Sequence, residues 1–387
     1  MKRVPTQERP GWQAKAEEAG FVFHTMYGEP YWDEKSMYQF TLEQVENDIE
    51  DPSTELHDMC REAVAEIVSN EQLMDRMGIP DNMKDFVKNS WRSKEQELYG
   101  RFDLAYNGNG PAKMLEYNAD TPTSLYEAGI YQWQWLEEKL ALGHLPPNSD
   151  QFNRLYDALV DRFKEMFIPA EDVHFASVAG RENMEDYGTV ETMAWAAKDA
   201  GLGAHYVAVE DIGISDAGQF ADDENRVIGS LFKLYPWEDM LRDEFATKIV
   251  SSRCRMIEPA WKALVSNKGL LPVLWKMFPG HKNLLPAYWA NEAHNLSNYV
   301  TKPIFSREGA SIRIFENGKL TETSTNQEYD HNSMIVQEYC PLPVFDGYRP
   351  IIGSWIVGQT CVGMGIREDQ SRITQDLSRF KPHFIMN

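Results

Sequence analysis

The sequence predicts an α+β chain built in three consecutive parts: helices first, a small α/β unit next, and a mostly antiparallel sheet last. Three observations predict it. Apolar residues between 41 and 90 recur at helical spacing. The stretch from "VHFASVAG" to "AHYVAVED" alternates strand, helix and strand. The last third is a series of short β-rich runs joined by turn residues, Asn317-Gly318 the clearest of them.

The elements follow in order. "TLEQ" at Thr41 is a capping-box pattern that opens the helical region, and Leu56, Met59, Cys60, Ala63, Val64 and Ile67 form one helical stripe within it. "RFDLAYNGNGPAKMLEYNAD" reads as a β-hairpin, with "NGNGP" as the turn. "SLYEAGIYQWQWLEEKLALG" is a helix ending at Gly143, and residues 151–167 make an amphipathic helix with Phe152, Leu155, Tyr156, Leu159, Phe163 and Met166 on one stripe. "VHFASVAG", a helix through "TVETMAWAAKDAGL", and "AHYVAVED" predict parallel strands, which "RVIGSLFKLYPW" continues. "PAWKALVSNKGLLPVLWKMFPGH" is helical, stopped by Pro279 and Gly280. "YVTKPIFSREGASIRIFENGKLTET", "SMIVQEYC", "IIGSWIVGQTCVGMGIRED" and "SRITQD" supply the final strands.

Composition narrows the function classes. A chain of 387 residues has room for two or three subdomains. A net charge of −22 opposes nucleic-acid backbones, though not a local basic pocket for one nucleotide. No window is apolar enough to span a membrane, and the N-terminus lacks an apolar signal core, so a cytoplasmic location is expected. Cys60, Cys254, Cys340 and Cys361 are far apart without a CxxC, which suits free thiols. His24, His57 and His383 lie among apolar neighbours and read as packing histidines.

The hairpin carries the chemistry. Strand alternation puts Phe102, Leu104, Leu115 and Tyr117 on one face and Arg101, Asp103, Glu116 and Asn118 on the other. The polar face could be solvated. Against that, oxygen ligands at i and i+2 on paired strands suit a hard cation such as Mg²⁺. Lys302 lies inside an apolar strand, and Lys268 precedes an apolar run. The "SREGAS" loop lets backbone approach phosphates. Together these suit ATP phosphates, while solvated amines and an ordinary turn remain the alternative. Neither a Walker A motif nor GxGxxG is present.

The motifs "YGRFDLA", "LEYNADTPTSLYEA", "SNKGLLPVLW", "YVTKPIFSREG" and "IGSWIVGQTCVGMGIRED" resemble the glutathionylspermidine synthetase family. The likeness runs from "FHTMYGEPYW" to "RFKPHF" and is strongest to single-domain bacterial members described as acid–amine ligases. It implies an ATP-grasp fold over residues 1–387, with 151–250 as a small substrate-side α/β subdomain and 260–387 carrying the nucleotide lysines, lid and sheet. It implies ATP and two Mg²⁺ ions, held by Asp103, Glu116 and Asn118, with Glu116 bridging. It assigns Arg101 to the transferring phosphoryl group and Lys268 and Lys302 to the ATP phosphates. Glu308 and Gly309 would cover them. Phe102, Gln337, Glu338, Tyr339, Cys340, Ile351, Arg372, Ile373 and Thr374 would also line the nucleotide. The substrates implied are a small carboxylate and an amine, peptide-like ones included.

On the substrate side the resemblance implies Thr121, Thr123, Glu185, Asp186 and Arg379. Here the chain departs from the polyamine-using members. Thr121 and Thr123 replace serines, Leu234 aligns with a threonine, and Arg379 aligns with an acidic residue. Losing a carboxylate and gaining an arginine disfavours spermidine. The amidase domain of the bifunctional members is not in this sequence. A metal-dependent phosphohydrolase and a catalytically silent ATP-binding protein are the alternatives to a ligase.

Overall fold

The computed structural model describes residues 1–26, 28–180, 183–374 and 378–386. A five-stranded antiparallel sheet sits at the centre, in the spatial order Arg379–Lys381, Thr360–Asp369, Arg349–Val357, Tyr99–Ala105 and Lys113–Asn118. The predicted hairpin is therefore not a free unit. Its first strand pairs with residues roughly 250 positions later in the chain. The helix Asp51–Ser69 covers one face of this sheet. Its Ser53 hydroxyl meets Ser354 at 2.7 Å, and His57 Nδ1 meets the Tyr117 hydroxyl at 2.9 Å. His57 is thus a packing histidine, as is His383, which bonds Gln132 inside the core.

The small α/β unit forms as the sequence predicts. Asp172–Ser177 and Gly203–Ala208 pair in parallel across the helix Met184–Asp199, and Ser230–Leu234 adds on the other side. A fourth parallel strand, Arg255–Ile257, lies past residue 250. The last third divides between two sheets. Ala287–Trp289, Met334–Glu338, Tyr299–Pro303, Arg313–Glu316 and Lys319–Thr323 form a second antiparallel sheet, with Asn317 and Gly318 both at positive φ in the expected hairpin turn.

Several expectations change. Residues 371–374 of "SRITQD" are irregular backbone, and 375–377 lie outside the described residues. The Ser371 hydroxyl bonds the Ile373 carbonyl, a local bond that competes with a ladder. The helical stretch after Pro259 is two helices, Lys262–Val265 and Leu270–Met277. Asn267 breaks it by accepting from the Gly269 N–H and donating to the Met77 carbonyl. Leu115 leaves the core face. A bulge between Asp103 and Leu104 puts Met114 opposite Leu104, so Met114 is buried and Leu115 faces the cavity described below. A third small sheet was not foreseen: Lys2–Pro5, Ser36–Phe40 and His383–Ile385 join the two ends of the chain. All four cysteines are free. Among the described residues, no helix is long and apolar enough to cross a membrane.

Candidate active site

The polar face of the hairpin forms the floor of a cavity of about 920 Å³. Register explains its composition. Arg101 lies opposite Asn118, and Asp103 opposite Glu116, so all four project to one side of the sheet. The same row continues through Gly353 and Gly365, while Ile351 pairs with Arg367. Arg101, Asp103 and Lys302 are each about 6% exposed or less, which removes the solvated-strand alternative. Gly353 is needed here. A Cβ on it would fall 2.8 Å from Arg101 Cδ, where the arginine side chain now crosses the sheet.

Cations and carboxylates interlock on this floor. Arg101 Nε donates to Asp103 Oδ1 at 2.9 Å, and Arg367 Nη2 donates to Asp103 Oδ2 at 2.5 Å. Lys268 Nζ lies 3.1 Å from Glu116 Oε2 and donates to the Ser306 carbonyl. Lys302 Nζ donates to Gln337 Oε1 at 2.9 Å and to the Leu115 carbonyl at 3.1 Å. Burial pushes the Asp103 and Glu116 carboxyls up. The guanidinium groups of Arg101 and Arg367 outweigh it at Asp103, and the lysines Lys268 and Lys302 outweigh it at Glu116, so both end below their ordinary values. Burial lowers Lys302 to about 8, with Glu116 opposing.

Does this face suit a divalent cation? Two ionised carboxylates and a carboxamide are hard oxygen donors of the kind Mg²⁺ takes. Asn118 turns its amide nitrogen toward Glu116 Oε1 at 3.4 Å, and an amide flip would present oxygen instead. Among the described residues, no three His, Cys, Asp or Glu side chains group to hold a metal ion, and Asp103 and Glu116 have only the Asn118 carboxamide beside them on this face.

The other walls differ in chemistry. Val300, Ile312, Ile314, Tyr339, Leu342, Ile351 and Ile373 make an apolar slot beside the floor. Arg372 closes its edge, donating to the Tyr339 hydroxyl at 2.9 Å and pairing with Glu316. Glu308 and Gly309 come from the loop that follows the strand Tyr299–Pro303, and Gly309 packs against the backbone of Thr374. A Cβ there would lie 2.3 Å from the Thr374 carbonyl oxygen, at a φ of +68°. The opposite wall is acidic. Glu185 and Asp186 come from the first turn of the helix Met184–Asp199, and Glu238 from the short helix Trp237–Met240. Burial raises Asp186 to about 6 and raises Glu238, with Arg307 opposing both. Arg307 donates to Thr121 Oγ1 and lies 3.6 Å from Glu238.

Most sequence-predicted residues line this one cavity: Arg101, Asp103, Glu116, Asn118, Thr121, Thr123, Glu185, Asp186, Lys302, Glu308, Gly309, Gln337, Glu338, Tyr339, Cys340, Ile351, Arg372, Ile373 and Thr374. Lys268 reaches its edge through Glu116. Three residues do not fit their expected places. The Phe102 ring is in the core, stacked on Tyr117 at 3.9 Å, because it alternates with the polar face. Leu234 is buried in the parallel sheet. Arg379 is engaged by Glu29 and Asp33 at 3.4 and 3.5 Å and is not among the cavity residues. Sequence reasoning missed Arg367, Arg307, Glu238 and Tyr31. Only Arg367 left a signal: an arginine in the buried run "VGMGIRED", two and four residues after glycines that empty its face.

A family model decides the grouping. The chain belongs to the glutathionylspermidine synthase preATP-grasp family. That model matches residues 3–386. The chain is 40% identical over 406 aligned residues to a Haemophilus influenzae protein provisionally named an acid–amine ligase, and all of each chain is covered. It is 26% identical to the trypanothione synthetase of Crithidia fasciculata, with 83% of this chain and 52% of that protein covered. It is 25% identical to the bifunctional glutathionylspermidine synthetase/amidase of Escherichia coli, with 90% and 59% covered. The chain thus spans little more than half the length of those two relatives. Among solved structures, a glutathione synthetase-like effector of Globodera pallida shares the fold, with a TM-score of 0.56 at 13% identity, over 90% of this chain and 89% of that one.

Proposed function

We propose that this protein is an ATP-grasp ligase that joins a carboxylate to an amine, forming ADP, through an acyl-phosphate intermediate. One observation carries the reading: a single cavity sets an apolar slot, a cationic floor and an acidic wall side by side. The slot suits a nucleobase, with Gln337 to Cys340 and Arg372 to Thr374 along it. The floor suits phosphates. The acidic wall suits an amine that carries positive charge. That preference leaves Arg379, whose charge Glu29 and Asp33 engage, without a direct part in choosing the acceptor.

A carboxylate does not react with amines because oxide is a poor leaving group. Phosphorylation supplies a better one. Phosphoryl transfer needs alignment and charge neutralisation more than acid–base chemistry. Arg101 and Arg367 face the transferring group from two strands, and Lys268 and Lys302 hold the phosphates behind it. Burial lowers the Lys302 ammonium to about 8, and an approaching phosphate would hold it more firmly in its charged form. Asp103, Glu116 and Asn118 would hold Mg²⁺, which would add positive charge at the phosphate oxygens. The loop bearing Glu308 and Gly309 excludes water from the acyl phosphate. On this reading residues 151–250 form the substrate-side subdomain and 260–387 the nucleotide side.

The test is incubation of purified protein with ATP, MgCl₂ and pooled carboxylates and amines, read by mass spectrometry for an amide and by coupled assay for ADP. Amide formed in step with ADP supports the reading. Phosphate release that needs no acceptor, with no amide, overturns it in favour of a phosphohydrolase.

A further inference from the structure

The amine acceptor poses a problem that the floor does not address. An amine held by carboxylates is an ammonium ion. It has no lone pair until it loses a proton, and the acidic wall makes that loss harder.

Tyr31 offers that proton a path out of the cavity. It lines the cavity, and its phenol is close enough to feel both the Arg367 guanidinium and the Glu185 carboxylate. Its hydroxyl donates to Glu127 Oε1 at 2.6 Å and lies 3.1 Å from the Ser124 hydroxyl, which also faces the cavity. Glu127 is 1% exposed and sits behind Tyr31, away from the cavity surface. We propose that Tyr31 is a catalytic residue that takes the proton from the incoming ammonium and passes its own to the Glu127 carboxylate. This rests on the ligase reading above.

The step balances. An N–H bond of the ammonium breaks as an O–H bond forms at the Tyr31 oxygen, and the phenol's own proton moves to Glu127. The freed nitrogen lone pair forms the C–N bond, and the C–O bond to phosphate breaks with its electrons. After product leaves, Glu127 returns its proton to the Tyr31 oxygen as the Tyr31 hydroxyl proton passes to water in the cavity. Burial raises Glu127 to about 7, while the Tyr31 hydroxyl, a backbone hydrogen bond within its own helix and the Arg101 and Arg367 guanidinium groups pull it down, and the Tyr126 phenol also faces it. A carboxylate so placed is ionised on the alkaline side of neutrality and accepts a proton readily near pH 7.

The experiment compares two nucleophiles on one acyl phosphate. Purified protein receives ATP, MgCl₂ and an equimolar mixture of the common amino acids, glutathione and alanylglycine as the carboxylate source. Hydroxylamine, mostly unprotonated at neutral pH, gives hydroxamates without help. Methylamine, protonated at neutral pH, needs the relay. In Glu127→Gln and Tyr31→Phe, hydroxamate formation should stay within about threefold of the unsubstituted protein. Methylamide formation should fall about 10²–10⁴-fold, and its rise with pH should move to higher pH. Equal losses with both nucleophiles, or no loss with methylamine, overturn the relay and leave the ligase standing. If the unsubstituted protein gives neither product, the ligase reading falls and the relay with it. Tyr31→Phe keeps the ring's packing, so the question stays answerable should Glu127→Gln not fold.

Discussion

The floor and the acidic wall of this cavity hold opposite charges and are built by opposite means. Apart from Lys268, which lies in a turn, the floor residues come from strands separated by up to roughly 260 positions, and hydrogen-bond register fixes where they point. Glu185, Asp186 and Glu238 sit instead in first turns of helices, where the helix dipole favours negative charge. A ladder cannot adjust one side chain without disturbing its neighbours. A helix start tolerates exchange. The floor is suited to chemistry that stays constant, and the wall to a substrate that can differ between relatives.

That contrast can be broken by substitution. The largest effect should come from Arg101→Ala, which on the proposed mechanism removes the positive charge that faces the transferring group. Turnover should fall about 10²–10³-fold with ATP affinity nearly unchanged, as read by steady-state kinetics and nucleotide titration. Comparable losses in both would move Arg101 from the transition state to ground-state binding. Gly353→Ala should come next. Its Cβ would displace Arg101, and a misplacement on the order of 1 Å costs roughly 10²-fold. Near-normal turnover would show that Arg101 can reroute and that the floor is less rigid than its register implies. Lys302→Ala should weaken ATP about ten- to hundredfold, the worth of one charge-assisted contact, measurable by calorimetry.

The smallest effect belongs to the wall and concerns stability. Burial lifts the Asp186 carboxyl from 3.8 to about 6 in the folded protein. A carboxyl raised on folding binds more protons in the folded state, so stability is lost as pH rises from about 4 to about 6. Asp186→Asn removes that loss. It should add about 1–2 kcal/mol at pH 7, after discounting for partial exposure, and nothing below about pH 4. Denaturant titration at the two pH values checks it. The same variant should raise the acceptor KM more than it changes kcat. A variant no more stable at pH 7 than the parent would mean that the wall carries no electrostatic strain.

How much of this was legible follows from the same contrast. The alternation around Asp103 and Glu116 announced the floor because strand periodicity is local. Arg367 escaped because only non-local pairing sets it beside Asp103. Leu115 was placed on the wrong face because no residue pattern announced the bulge. The acidic pair was legible through resemblance alone, and Tyr31 and Arg307 were not legible at all, since loops carry no period to read. Arg379 shows the hazard of charge read from an aligned position: Glu29 and Asp33 had already claimed it.

The small sheet that joins the chain's two ends has a consequence for synthesis. Ser36–Phe40 can complete its pairing only with His383–Ile385, made roughly 340 residues later. At ~5–20 residues per second the ribosome takes about 20–70 s to reach that partner. For that interval a nascent strand with a buried-type face waits with one edge open, and such edges recruit other chains. The protein's yield in a cell should therefore depend on what shields residues 36–40 during translation, a demand that falls on the chaperones of its host and not on its own finished fold.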